Sequence, residues 1–306
     1  MKENFNVAGI GELLWDIFPT HKRLGGAPAN FACHCSRLGA MASLVSCVGA
    51  DPLGELLCTA LRKTGVDTRR VMKSDAYPTG TVQIVLNGGK PTYEIREDVA
   101  WDHIVCGDEL KTFAATLDAV CFGSLSQRAA DSRAAIRSFL QHVPDGALKF
   151  FDVNLRQKFF SKEVIEESLR CANILKLSDE ELPVLAEYFS LQGGTQEQLH
   201  QLRDMFNLRM IAYTRGSDGS VLVSADEVDD SPGLPVKVVD TVGAGDSFTA
   251  ALCMGLLRGW PLKKVNAFAN EVAVFVCSQK GATPVLPGRL VTYGVEMAGN
   301  DPSSEG

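Results

Sequence analysis

The amino-acid sequence predicts an α/β protein built on a mostly parallel sheet. Three observations carry that expectation: short apolar runs recur along the 306 residues, helical patterns fill the intervals, and hairpin chemistry is confined to one stretch. Residues 7–13, 43–49, 117–125, 148–154, 174–178 and 210–216 read as strands buried on both faces, because they lack the polar alternation of a half-solvated sheet. The first helix has Pro28 in its opening turn, sets Phe31, Ala32, Cys35 and Leu38 along one side, and stops at Gly39. Asp51-Pro52 starts a second, with Leu53, Leu56, Leu57, Ala60 and Leu61 at helical spacing up to Gly65. Between 80 and 97 the rhythm changes. Val82, Ile84 and Leu86 alternate, Tyr93 and Ile95 follow, and Asn87-Gly88 predicts a hairpin projecting from the core. A lid, a subunit contact and a surface ornament are all open for it at this point.

Composition narrows the partners. Hydrophobic residues make up 45% of the chain, enough for a sizeable core, and 30 basic against 37 acidic side chains leave a net charge of −7. No Lys/Arg stripe could track phosphates, so nucleic acid is not expected. No apolar stretch reaches the roughly 20 residues of a membrane span, and the N-terminus runs straight into a strand-like segment. The nine cysteines are odd in number, lack a C-x-x-C pair and sit mostly in apolar runs, as reduced thiols of a cytoplasmic protein would. Cys33 and Cys35 lie two apart on a helix and point to different sides, which disfavours a joint metal site. The five histidines are scattered and read as structural, and P-loop, zinc-protease and nucleophile-elbow motifs are absent.

Chemistry concentrates in two glycine-bearing segments. Val239-Asp240-Thr241-Val242-Gly243-Ala244-Gly245-Asp246-Ser247-Phe248 runs into a helix with Phe248, Ala251, Leu252, Gly255 and Leu256 at helical spacing. Gly243 and Gly245 let the backbone approach an anion, and the first-turn amides point at it: a phosphate cradle. Asp246 sits comfortably at a positive helix end, which should hold it ionised; helix capping and catalysis both explain it. In Leu24-Gly25-Gly26-Ala27-Pro28-Ala29-Asn30 the glycines precede the Pro-initiated helix, and Asn30 can donate to and accept from adjacent hydroxyls. By itself this is an ordinary loop. Asp16 in Gly11-Glu12-Leu13-Leu14-Trp15-Asp16 reads as a turn residue or as a carboxylate for two hydroxyls.

These two segments resemble the signatures of the PfkB, or ribokinase-like, family of carbohydrate and nucleoside kinases, and the spacing from Asp16 to Gly25-Gly26 matches too. The likeness runs from about residue 9 to about 287. It implies a ribokinase-like three-layer α/β/α core with a mostly parallel central sheet and a small β lid. One kinase domain would span 1–297, with lid segments at about 13–24 and 78–103 and a frayed tail at 298–306. It further implies that Asp246 is the base, that the amides around Gly243, Ala244 and Gly245 form the anion hole, and that Asp16, Gly25, Gly26 and Asn30 hold a sugar. Asp152-Val153-Asn154-Leu155-Arg156 resembles the family's Asp-x-Asn-x-Arg, with Arg156 bracing phosphate or substrate.

Other positions follow from the same resemblance. Ser178-Asp179-Glu180-Glu181 stands where the family has Asn-x-x-Glu, so Glu181 would organise Mg²⁺ through water; serine departs from the pattern, and Ser-x-x-Glu is also a capping box. Ser178, Thr214, Gly216 and Gly219 would meet ATP, Asn270 would flank adenine, and Asp240 matches the carboxylate of a K⁺ site. Tyr93-Glu94-Ile95-Arg96-Glu97-Asp98-Val99-Ala100-Trp101-Asp102 resembles the fructokinase branch. D-fructose phosphorylated at its 6-hydroxyl is therefore the leading substrate, with ribose and 2-keto-3-deoxygluconate behind it and a silent sugar sensor as a different class of answer. ATP and a sugar are the expected partners, with a homodimer through the lid as a further expectation.

Overall fold

A computed structural model describes residues 4–87 and 90–293. In chain order the described strands are β1 (Asn6–Ile10), β2 (Leu14–Ile17), β3 (Lys22–Gly25), β4 (Met41–Gly49), β5 (Val71–Ser74), β6 (Gly80–Asn87), β7 (Lys90–Ile95), β8 (Ala119–Gly123), β9 (Leu148–Asp152), β10 (Ile174–Ser178), β11 (Met210–Thr214), β12 (Ser220–Ser224) and β13 (Val228–Ser231). The helices are α1 (Ala27–Arg37), α2 (Pro52–Arg62), α3 (Asp108–Ala114), α4 (Ala130–His142), α5 (Lys162–Cys171), α6 (Leu182–Phe189), α7 (Thr195–Met205), α8 (Ala244–Leu257), α9 (Leu262–Cys277) and α10 (Gly288–Val291).

The main sheet runs β13-β12-β11-β10-β9-β8-β1-β4-β5. It is parallel from β11 to β5, and β12 and β13 close it antiparallel. Each anticipated run supplies a strand, but several stop sooner than their apolar stretch: residues 11–13 leave the sheet at Gly11, and 215–216 turn away after β11. The β12–β13 edge was not foreseen, since Ser220–Ser224 and Val228–Ser231 are short and the latter carries two aspartates.

Alternation along a strand sends neighbours to opposite layers. Phe150 packs against Phe31 of α1 with ring centroids 6.3 Å apart, while Phe151 packs against Phe122 at 5.3 Å on the other side. Residues of α1, α8 and α9 share the first core, and those of α3 to α7 share the second. Fully burying one such side chain contributes about 1.5–3 kcal/mol, so both layers are held firmly to the sheet. This is the three-layer core the sequence implies.

The predicted hairpin joins a second sheet, ordered β3-β2-β6-β7. Its strand β6 lies parallel to β2, with Val82 opposite Asp16. Asn87 pairs with Lys90; the turn anticipated at Asn87-Gly88 lies partly, and the tail at 298–306 wholly, outside the described residues. Leu14, Val82, Ile84 and Ile95 cluster with Trp101, Leu125 and Phe159. The foot of this sheet is anchored: Arg128 Nε and Nη2 each lie 2.8 Å from an Asp102 carboxylate oxygen, and the guanidinium covers the Trp101 ring. No described helix is long and apolar enough to cross a membrane.

Candidate active site

The carboxyl edges of β1, β8, β9 and β10 meet the amino ends of α1 and α8. Gly243, the residue before α8, is left-handed at φ 80°, and a Cβ there would lie 2.5 Å from the carbonyl oxygen of Ala282. Only glycine accepts both conditions. Ala282 is itself held by His34, whose Nε2 donates to its carbonyl at 2.9 Å; burial lowers this histidine to about 4, a neutral structural residue as expected. The free first-turn amides of α8 begin here, with Asp246 among them. Gly26 has φ 110° and a Cβ would sit 2.3 Å from the Glu12 carbonyl oxygen, so the chain turns tightly into α1. Asn30, in the first turn of α1, donates Nδ2 to Asp246 Oδ2 at 2.8 Å. Two residues 216 apart in sequence thereby share one contact. Asp16 on β2 lies against Gly25, where a Cβ would be 2.6 Å from its Oδ2.

Electrostatics partly reverse the sequence expectation for Asp246. Its pKa is raised to about 6, not held down by the helix end: burial leads, the Asp152 carboxylate adds to it, and Asn30, Lys176 and Arg156 oppose them. A helix terminus favours charge by a fraction of the cost of packing a carboxylate away from water. Asp16 is also raised to about 6, chiefly by burial, with Arg23 and Arg156 restraining the rise. Arg156 is exposed, and its charge acts to lower both carboxylates.

Beneath Asp246 lies a pair that sequence reasoning missed. Lys176 Nζ is 3.0 Å from Asp152 Oδ1, both side chains below a tenth exposed, and a Cβ on Gly245 would be 3.1 Å from the same ammonium. Burial works to lower the lysine, but Asp152, Glu181 and Asp246 together raise it, so it stays charged beneath Gly245. The Thr249 hydroxyl lies 3.0 Å from the Gly245 carbonyl oxygen and 3.3 Å from Asp152 Oδ2. A lone lysine inside the apolar run Ile174–Ser178 was the available signal, because a charge in a central strand must be paired. Glu12 was also passed over. Its Oε1 accepts the Ala27 amide at 3.2 Å, its Oε2 is buried without a partner, and burial raises it to about 7. Asn30 Oδ1 is another buried oxygen without a partner. Buried acceptors left open beside Asp246 suit a ligand that brings hydroxyl donors.

On the other flank, the loop after β9 is conformationally strained, with Asn154 at φ 42° and Gln157 at φ 48°. Glu181 accepts the Leu155 amide through Oε1 at 3.0 Å and the Ser178 amide through Oε2 at 2.8 Å. It thus ties the ends of β9 and β10 together, and because α6 begins only after Glu181, Ser178 is not its N-cap and the capping-box reading of Ser178–Glu181 does not hold. No group of three or more His, Cys, Asp or Glu among the described residues could hold a metal. Thr214 ends β11, and Gly216 and Gly219 form the turn into β12. Asn270 on α9 donates to the Ser220 hydroxyl at 2.7 Å and the Asn266 carbonyl at 2.9 Å, fastening the helix beside that turn. Asp240 does not present the oxygen-lined cage that K⁺ needs: Arg23 and two backbone amides donate to its carboxylate.

Residues 10–289 match the model of the pfkB family carbohydrate kinases. The uncharacterized sugar kinase PH1459 of Pyrococcus horikoshii is 35% identical over 295 residues, covering 90% of this chain and 91% of its own. Its crystal structure in complex with ATP superposes at TM-score 0.78, with 34% identity over 90% of this chain and 94% of that one. Fructokinase-1 of Zea mays is 30% identical over 308 residues, 92% of this chain and 94% of its own. The ATP-bound fructokinase of Xylella fastidiosa shares the fold at TM-score 0.82 and 20% identity, covering 97% and 100% of the two chains. With the positive-φ glycines ahead of α1 and α8, the Asn30–Asp246 contact and the open acceptors all at one sheet edge, the chain belongs to the pfkB family of carbohydrate kinases.

Proposed function

We propose that this carbohydrate kinase transfers the γ-phosphate of ATP to a hydroxyl of a small sugar, with D-fructose giving fructose 6-phosphate as the leading reaction. The observation that carries the mechanism is Asp246, raised to about 6 and fixed by Asn30 at the amino end of α8. A base with a pKa near but below neutrality is mostly ionised at pH 7 yet takes a proton readily. It removes the proton of the accepting hydroxyl. The amides following Gly243 receive the charge that builds on the transferred group, with Lys176 behind Gly245 reinforcing them, and Arg156 braces the phosphate. ATP arrives as its magnesium complex, and the metal neutralises phosphate charge. Thr214, Gly216 and Gly219 border the nucleotide, with the exposed Val236, Val238 and Val239 beside α8 as an apolar surface for its base. Asp16, Gly25, Gly26, Asn30 and the open oxygen of Glu12 bind the sugar hydroxyls. The sheet β3-β2-β6-β7 is the lid over them, and its edge strands are the surface through which a second subunit would pair. The nine free thiols suit a reducing cytoplasm.

The direct test is ATP consumption over D-fructose, D-ribose and 2-keto-3-deoxygluconate. Fructose should give the highest kcat/KM; a preference for either of the others would remove the fructokinase assignment, and no turnover with any would leave the silent sensor. Asp16→Ala should raise the sugar KM by about 10- to 150-fold, the scale of a lost charge-assisted hydrogen bond, with ATP affinity unchanged. Normal calorimetric affinity for sugar in this variant would take Asp16 out of the site.

The acid limb of the pH profile is diagnostic as well. Asp16 and Asp246 both act as carboxylates and both titrate at about 6, so log kcat/KM should fall below that pH with a slope approaching about two. Asp16→Asn should reduce the slope to about one. A profile flat down to pH 5 would contradict the raised values.

A further inference from the structure

Arg23 leaves β3 of the small sheet and crosses to the segment that leads into α8. Its Nη1 lies 2.7 Å from Asp240 Oδ2, a contact between residues 217 apart in sequence. The same oxygen accepts the Gly281 amide at 3.1 Å, and Oδ1 accepts the Val242 amide at 3.1 Å. Behind it, the Val239 and Asp240 amides both donate to the Cys277 carbonyl, at 2.9 and 3.2 Å, which staples this segment to the end of α9. The Phe18 ring, with its centroid 5.0 Å from the guanidinium carbon, orients the arginine from the lid side. Asp240 is therefore met by one cation and two N–H dipoles. An alkali-metal ion needs the opposite surroundings, oxygens with lone pairs turned inward, and a guanidinium on the same carboxylate would repel it.

The sequence resemblance led to the expectation of K⁺ at Asp240, and the fructokinase of Vibrio cholerae, 22% identical over 94% of this chain, has been crystallised with potassium bound. Here the positive charge comes from the chain itself. We infer that Arg23 is a positioning residue whose guanidinium stands in for a monovalent cation, holding Asp240 and, through the Val242 amide, the entry to the anion hole. Turnover then does not depend on K⁺, and removing the guanidinium creates that dependence. Because Arg23 belongs to the small sheet, the charge is in place when that sheet lies over the site. The inference rests on the kinase reading above.

The test compares initial rates of sugar phosphorylation at equal ionic strength in KCl and in choline chloride, alongside calorimetric affinity for MgATP in the same two salts. The wild-type protein should give rates within about twofold and equal affinities. Arg23→Ala should lose about tenfold or more in choline, the scale of one charge-assisted hydrogen bond, and regain about half of that loss or more, on a logarithmic scale, in KCl. Arg23→Lys, which keeps a charge within reach of Asp240, should retain the indifference to K⁺. Activation of the wild type by about fivefold or more in KCl would overturn the inference. So would an Arg23→Ala protein as insensitive to the salt as the wild type, since a purely mechanical strap would not change the response to potassium. Should no sugar be phosphorylated, the kinase reading fails by that result, and the affinity measurements still decide: an Arg23→Ala protein that binds MgATP more tightly in KCl supports the role of Arg23, and equal binding in both salts overturns it.

Discussion

Asp246→Asn is expected to lower kcat by about 10²–10⁴-fold, the contribution of a positioned general base, with sugar and ATP affinity largely retained. Asparagine keeps the size of the side chain and still offers an oxygen to Asn30 Nδ2, so the contact between α1 and α8 survives. What disappears is the ability to accept the proton of the attacking hydroxyl. The competing account, in which Asp246 only complements the helix end, predicts a different result, because asparagine serves the end of a helix about as well as aspartate. Stopped assays of phosphoryl transfer, with calorimetry to confirm binding, separate the two. A folded Asp246→Asn protein with near-normal kcat would refute the base.

Lys176→Met should carry the largest cost in stability. Removing one member of a buried ion pair leaves the other uncompensated, at about 3–5 kcal/mol. Here Asp152, 3% exposed, would face Asp246 without its ammonium partner. Burial already raises Asp152, and Lys176 is the leading influence against that rise, so the variant pushes it higher. The sign of the pH dependence follows: a carboxyl whose folded pKa lies above its unfolded value supports the fold below the unfolded pKa and loses that support as pH rises through the folded one. The deficit of Lys176→Met should therefore be smaller at pH 5 than at pH 8. Adding Asp152→Asn removes the stranded charge and should return much of the lost stability. Denaturant titrations across that pH range check both statements; a loss below about 1 kcal/mol, independent of pH, would mean the pair is not what holds this floor. Turnover should fall as well, because Gly245 would lose the charge behind its amide.

The features legible in the sequence were those written in contiguous residues. Strand and helix periodicity gave the parallel sheet, the Pro28 and Pro52 starts placed α1 and α2, and the two glycine segments that meet through Asn30 and Asp246 stood out by their local chemistry. Local backbone chemistry is enough for such features, since a turn that requires glycine, or an apolar repeat of fixed period, is satisfied within a few residues of itself. Edge strands β12 and β13 were missed because their pairing, and not their composition, makes them strands. The contacts of Asn30 with Asp246, Arg23 with Asp240 and Lys176 with Gly245 lay beyond the sequence, as did the use of Glu181 as an amide clamp. The same holds for the raised pKa of Asp246. Burial is a sum over every segment that packs around a group, and opposite charges separated by two hundred residues become neighbours only once the layers close, so these properties were decided by the tertiary structure alone.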